Sequence, residues 1–288
     1  MSTTALALVL TAALAHALWN LAAKRVASDA VVFVWMYVVG SVVLCGPTTL
    51  VWMATTDVVP DGRWVLGAAV SAVLHAVYSV VLQHGYAVGE LNLVYPLARG
   101  TGPLVTMVVA IAFLGDRPAP VAIIGGLLIV GGIAVISNGG PAATPPGRRR
   151  AGIRWGIATG VTIASYTLWD SHAVTALEVP PLPYFTLSLL FQVPVLTAAA
   201  WSRRDAGRTI ARGHWREIAA VSVLSPLAYI LVLEAMRLAP VALVAPARET
   251  SIVVGSLLGW LVLKEPDPRR RLLGSAVVLA GIAALVSG

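Results

Sequence analysis

Leu18-Trp19-Asn20 returns in this chain as Leu168-Trp169-Asp170, 150 residues later. Ala68-Ala69-Val70-Ser71 returns as Ala219-Ala220-Val221-Ser222, a shift of 151. Pro96 and Arg99 are answered by Pro246 and Glu249 at 150, and Gly125 and Gly132 by Gly274 and Gly281 at 149. Offsets that drift by one residue are those of a duplicated unit with single-residue slips in its loops. Each copy is almost continuously apolar, so the repeat has to be read against lipid rather than water.

The composition agrees. Of 288 residues, 58% are hydrophobic and only 11% charged, and the mean hydropathy is +0.85. A soluble domain carries roughly 25% charged residues, so this chain has too little polar surface to solvate a globule. Ten runs are long enough for a helix across ~30 Å of hydrocarbon: 4–23, 31–54, 64–84, 91–114, 119–138, 153–173, 182–201, 215–235, 241–263 and 271–287. Backbone polar groups must be satisfied inside lipid, which selects helices. The expectation is an all-α membrane protein of ten transmembrane helices. Residues 1–138 and 153–288 form its two halves, joined by a Pro- and Gly-rich linker at 139–152 that resists helix. Five spans per half is an odd number, so the second half enters the membrane upside down. That arrangement is the inverted repeat of secondary transporters.

Charge placement orients the chain. Fifteen of the 20 Lys and Arg residues fall in one set of alternating loops, from Lys24 and Arg25 through Arg148–Arg150, Arg154 and 203–216 to 264–271. The other set holds only Arg63, Arg117 and Arg237. The positive-inside rule makes the rich side cytoplasmic and places both termini outside. The net charge of +7 is thereby assigned to topology and not to nucleic acid. The first run lacks a basic residue before Lys24 and has a partner in the second half, so it reads as part of the mature fold rather than as a signal peptide. Cys45 is the single cysteine, which excludes an intramolecular disulfide and a Cys-based metal cluster. Nothing calls for a cofactor or metal.

Ionisable groups inside spans are functional candidates, because each costs roughly 2.5–3.5 kcal/mol to insert. Arg99 in span 4, with Tyr95 one turn before it, and Arg248-Glu249 in span 9 stand out. Equivalent positions of inverted repeats meet near the central axis, so Arg99 and Glu249 are expected to approach. Such a site suits a zwitterion or an anion, or else is a buried ion pair that fixes helix register. A second cluster joins spans 1 and 6: His16, Trp19 and Asn20 match Tyr166, Trp169 and Asp170, each trio on one helix stripe. A third sets Ser71, His75 and Tyr78 in span 3 opposite Ser222, Pro226 and Tyr229 in span 8. Glu249 and Asp170 are the candidates for carrying a coupling proton. The glycines of spans 5 and 10 pack helices closely, either within the molecule or in a homodimer.

The whole pattern resembles the EamA-type family of the drug/metabolite transporter superfamily. The resemblance rests on the two five-span halves, the Trp19 region ending span 1, Pro96 in span 4, the Gly115-Asp116 and Lys264-Glu265 turns, and the Gly-rich spans 5 and 10. It implies a solute carrier in a bacterial inner membrane, often an exporter of amino acids, metabolites or toxic compounds. It also implies a central cavity lined chiefly by spans 3, 4, 8 and 9. In the family both termini commonly lie in the cytoplasm, with basic residues between spans 2 and 3; here that stretch, 55–63, is net acidic. The expected function is alternating-access transport of a small metabolite driven by a proton or substrate gradient. The alternatives are a lipid-linked sugar flippase and a multidrug efflux carrier. The chain has no phosphate-binding loop for ATP and neither His-Glu-x-x-His nor Gly-x-Ser-x-Gly, so an intramembrane enzyme is the remote alternative.

Overall fold

A computed structural model describes all residues except 27–28, 57, 90, 138–145, 264–267 and 288. The described residues form twelve α-helices, and no strand occurs among them. They are α1 (Thr3–Lys24), α2 (Ala30–Thr55), α3 (Gly62–Val88), α4 (Leu91–Phe113), α5 (Pro120–Ser137), α6 (Pro146–Thr175), α7 (Pro181–Trp201), α8 (Arg204–Gly213), α9 (Trp215–Leu238), α10 (Val241–Arg248), α11 (Thr250–Leu263) and α12 (Pro268–Ser287). Among the described residues, seven helical stretches are long and apolar enough to cross a membrane: α1, α2, α3, α4, α7, α9 and Val241–Leu258, which runs through the α10–α11 junction. The apolar parts of α5 and α12 are shorter. The chain is an integral membrane protein.

Short polar residues start the helices where the apolar runs begin. Ser2 accepts from the Ala5 N–H, Asp29 from Val31 and Val32, and Asp61 from Arg63. Each carboxylate or hydroxyl satisfies an amide that the first helical turn leaves unpaired. Pro146 opens α6, so helix begins inside the stretch expected to be linker. Proline is tolerated in the first turn, where its missing N–H has no partner to lose. The Lys264-Glu265 turn lies outside the described residues. Gly115 has φ +79°, a left-handed conformation that glycine adopts without strain. The Asp116 it positions accepts from the Ala242 N–H at 3.1 Å and so caps α10.

Two departures from the expected spans matter. First, α8 is an additional short amphipathic helix between spans 7 and 8. Its Ile210 is buried against Val32, Phe33, Ala200 and Val221, while Arg208 and Arg212 are exposed. At ten residues it is too short to span. Second, the run 241–263 is broken at Glu249. Pro246 has no N–H for Ala242, and the Glu249 N–H turns to the Pro246 carbonyl at 3.0 Å.

Helix directions follow from which residues meet. Thr101 lies against Gly160 and Leu97 against Gly156, numbers that rise together, so α4 and α6 are parallel. Gly67 meets Tyr184 and Ser71 meets Ser188, so α3 and α7 are parallel. Thr49 meets Thr186 and Trp35 meets Thr197, which makes α2 and α7 antiparallel. Gly125 touches Gly281 and Gly132 touches Gly274, so α5 and α12 are antiparallel. The packing partners are also paired between the halves. α4 packs on α6 as α11 packs on α1, and α3 packs on α6 and α7 as α9 packs on α1 and α2. α2–α7, α4–α10 and α5–α12 are contacts between an element and its own counterpart.

Candidate polar site between the halves

Seven helices from both halves converge on one buried polar cluster. α4 brings Arg99, 8% exposed, and the α10–α11 break brings Arg248 and Glu249, 8% and 2% exposed. The break matters because it ends one helix and starts the next at a buried carboxylate, so backbone and side chain are both polar at this depth. Arg99 Nε lies 3.0 Å from Glu249 Oε2. The N–H direction misses the oxygen, so both atoms are buried without a hydrogen bond. Arg99 Nη2 reaches Ser251 Oγ at 3.5 Å, and Arg248 Nε is 4.0 Å from Glu249 Oε1. Two guanidiniums thus share one carboxylate, leaving one positive charge unmatched.

Two tyrosines connect this positive end to a negative one. Arg248 Nη2 donates to Tyr166 Oη at 3.2 Å, and its guanidinium sits 5.8 Å from the Tyr229 ring. Tyr229 in turn donates its hydroxyl to Asp170 Oδ2, while Tyr184 donates to Asp170 Oδ1 at 2.6 Å. Asp170 has no solvent exposure. His75 completes the cluster: its ring stacks on Tyr166 at 4.3 Å, and Nε2 stands 4.0 Å from Asp170 Oδ2. Tyr78 packs edge-on against Tyr166 at 5.5 Å. A small cavity lined by Pro103, Thr106, Thr167, Ala245, Arg248 and Glu249 adjoins the arginines, and Thr106 Oγ1, fully buried, has no hydrogen-bond partner.

Of the residues expected from sequence, Arg99, Arg248, Glu249, His75, Tyr78, Tyr229 and Asp170 therefore come together. Tyr95 stands at the edge, 38% exposed, with its ring 5.9 Å from the Arg99 guanidinium. Trp169 donates Nε1–H to the Gly67 carbonyl at 2.9 Å and holds α6 to α3. His16 is half-buried and lies within electrostatic reach of Arg99 and Arg248. Trp19 packs edge-on to His16 but joins the apolar group around Val32 and Phe33. Asn20 is exposed, and its amide bonds the His16 carbonyl of its own helix. Tyr184 escaped the sequence reading because its stripe on α7, with Ser188 and Gln192 at steps of four, carries no ionisable carboxylate or base to single it out. Ser251 and Thr106 escaped it because single hydroxyls in spans usually bond their own helix.

The glycines of α5 and α12 meet across the intramolecular contact. A Cβ on Gly125 would lie 2.5 Å from the Gly281 carbonyl oxygen, and one on Gly132 would lie 2.7 Å from that of Gly274. A homodimer through these helices would use their outer faces, where Gly131 has nothing within 4 Å.

A polytopic helical membrane protein with charged side chains buried between two similar halves belongs with the solute carriers. The model of the EamA-like transporter family matches residues 3–138 and again 150–287. The chain belongs to that family, whose members are membrane transporters of small solutes and not enzymes. A protein of known crystal structure shares the fold with a TM-score of 0.75 and 15% identity, over 100% of this chain and 98% of that one. No curated protein matches this chain significantly in sequence.

Proposed function

We propose that the chain is a ten-span secondary transporter that exports a small zwitterionic or anionic metabolite by alternating access. Its halves, residues 1–138 and 153–288, act as inverted repeats that rock about the polar cluster. The observation that carries this reading is the two-ended site: Arg99 and Arg248 share Glu249 at one end, and Asp170 is buried among hydroxyls at the other. The unmatched guanidinium charge suits a carboxylate or similar anion, held by charge-assisted hydrogen bonds that release no proton. Asp170 suits an ammonium at the opposite end.

One further feature supports the inverted arrangement, and another distinguishes its two ends. A contact in which Gly125 meets Gly281 while Gly132 meets Gly274 is self-complementary under exchange of the halves, as across a two-fold axis. Because α5 and α12 are antiparallel, that axis lies across the helices and therefore in the membrane plane. The Asp170 end is sealed by side chains of α3, α6, α7 and α9, whereas its counterpart around Asn20 is exposed. Asn20 lies near Lys24 and Arg25, on the Lys- and Arg-rich side.

The test is a thermal-shift screen of purified protein against amino acids, organic acids and amines, followed by uptake of the best ligand into proteoliposomes. The expected result is ligand-specific stabilisation that Arg99→Ala and Glu249→Gln both abolish, with saturable flux. Stabilisation unchanged in both variants removes these residues from the site, and no flux of any candidate solute overturns the transporter reading.

A further inference from the structure

We propose that His75 and Asp170 form a single proton-binding site that couples solute movement to the proton gradient. The coupling rests on the carrier reading above; the site itself rests on geometry alone.

His75 Nδ1 lies 2.9 Å from the Ser71 carbonyl oxygen. A carbonyl only accepts, so Nδ1 carries the ring proton, and the neutral imidazole presents Nε2 as a bare lone pair. That lone pair faces Asp170 Oδ2 at 4.0 Å. Two acceptors confront each other in a place where Asp170 has no access to solvent. A proton resolves the conflict: it adds to the Nε2 lone pair, Nδ1–H stays on Ser71, and the pair changes from one negative charge to none. The contact then becomes an imidazolium–carboxylate hydrogen bond.

The surrounding groups favour this site over Glu249. α3 contributes Ser71 and Tyr78, α6 contributes Tyr166, and α9 contributes the Tyr229 ring at 5.6 Å from His75. α7 contributes Tyr184 on Asp170, with Ser188 bonded to Ser71. Arg248 of α10 stands behind Tyr166 and Tyr229. Asp170 is thus partnered by two phenols and an imidazole, and the charge of the His75–Asp170 pair can change without stranding a cation. Glu249 lies between Arg99 and Arg248, and neutralising it would leave two buried guanidiniums without a counter-charge.

Geometry also connects the proton to the solute end. Asp170 Oδ2, the oxygen facing His75, is the one that accepts the Tyr229 hydroxyl. A protonated His75 draws that oxygen toward α3 and loosens Tyr229, whose ring lies under the Arg248 guanidinium. The counterpart of Asp170 in the first half is Asn20, which bonds only the His16 carbonyl. One half therefore carries the proton site.

Nitrogen-15 NMR of histidine-labelled protein in nanodiscs reads the site directly, with His75→Gln assigning the signal. The expected result is that the His75 ring gains a second proton, on Nε2, on acidification; a ring that keeps one proton throughout overturns the proposal. Proteoliposomes loaded with a pH-sensitive dye and challenged with an L-amino-acid and organic-acid mixture read the coupling. Solute-evoked proton movement is expected in the wild type and lost in both His75→Gln and Asp170→Asn. Solute flux without proton movement overturns the coupling. A wild type silent to every solute, with His75 still protonating, overturns the carrier reading and the coupling with it and leaves the proton site standing.

Discussion

Arg99 and Glu249 hold equivalent positions in the two halves, and the fold brings them into contact, Nε to Oε2 at 3.0 Å. A residue meets its own repeat counterpart only where the axis relating the repeats passes. Buried charges at that point are costly unless paired, and removing one partner strands the other. Breaking a buried pair costs about 3–5 kcal/mol. Glu249→Ala, which leaves both Arg99 and Arg248 without their carboxylate, is therefore expected to lower the unfolding free energy by that order, and Arg99→Ala by less, because Arg248 still faces Glu249. The double variant should lose less than the sum. A double-mutant cycle measured by denaturant unfolding in mild detergent checks this, and strict additivity would show that the two charges do not interact.

The duplication, and with it the meeting of Arg99 and Glu249, was legible in the sequence because repeat offsets survive in residue identity. The polar stripe of Ser71, His75 and Tyr78 was legible because helical spacing aligns it. The break at Glu249 was hidden: Pro246 signalled only a kink, and what separates α10 from α11 is the turn of a single amide. The amphipathic α8 was hidden because its arginines read as a loop, although Ile210 anchors it between α2 and α9. Tyr184, which holds Asp170, heads a polar stripe with Ser188 and Gln192 on α7, but that stripe carries no charge and only the tertiary arrangement of α6 and α7 shows what it meets.

The α5–α12 contact depends on missing side chains. A Cβ at Gly125 would sit 2.5 Å from a backbone oxygen of Gly281, and backbone cannot swing aside. Gly125→Val is expected to destabilise by about 1–3 kcal/mol, the usual cost of overpacking. Gly131→Ala, facing open space, should be neutral or stabilise by up to about 1 kcal/mol through helix propensity. Melting temperatures of the two variants side by side decide the matter; equal losses would mean that glycine is required throughout α5 and not at its contact face.

Asp29 links the start of α2 to Arg203, which precedes α8. Burial alone would raise its carboxyl pKa, but the Val32 N–H and the Arg203 guanidinium, 3.1 Å away, outweigh it and hold the carboxyl below its usual value. A depressed folded-state value gives stability that is present above the unfolded pKa of about 3.9 and lost as pH falls through the folded value. Asp29→Asn keeps a capping oxygen and removes the charge. It should melt below the wild type at pH 7, and the gap should close as the pH falls below about 4. Raising the salt concentration should narrow the gap at neutral pH, because both groups are partly exposed.

Asp170 and Asn20 occupy matching places, yet only one is built into the fold. Asp170 accepts hydroxyls from Tyr184 and Tyr229 with no exposure, while Asn20 is exposed and bonds its own helix. Asp170→Ala leaves two buried phenols without an acceptor, at about 1–3 kcal/mol each, so a loss of several kcal/mol is expected. Asn20→Ala should stay within about 0.5 kcal/mol. The contrast also bears on the transport cycle. If the halves exchange conformations, the sealed Asp170 end must open, and its hydrogen bonds to Tyr184 and Tyr229 are a latch to release. Cysteine labelling on a Cys45→Ser background reads this, with Ser188→Cys reporting the sealed end. Labelling at position 188 should be slow in the otherwise unchanged protein and faster once Asp170→Asn weakens the latch. Equal rates with and without Asp170→Asn would show that the carboxylate does not hold that end shut.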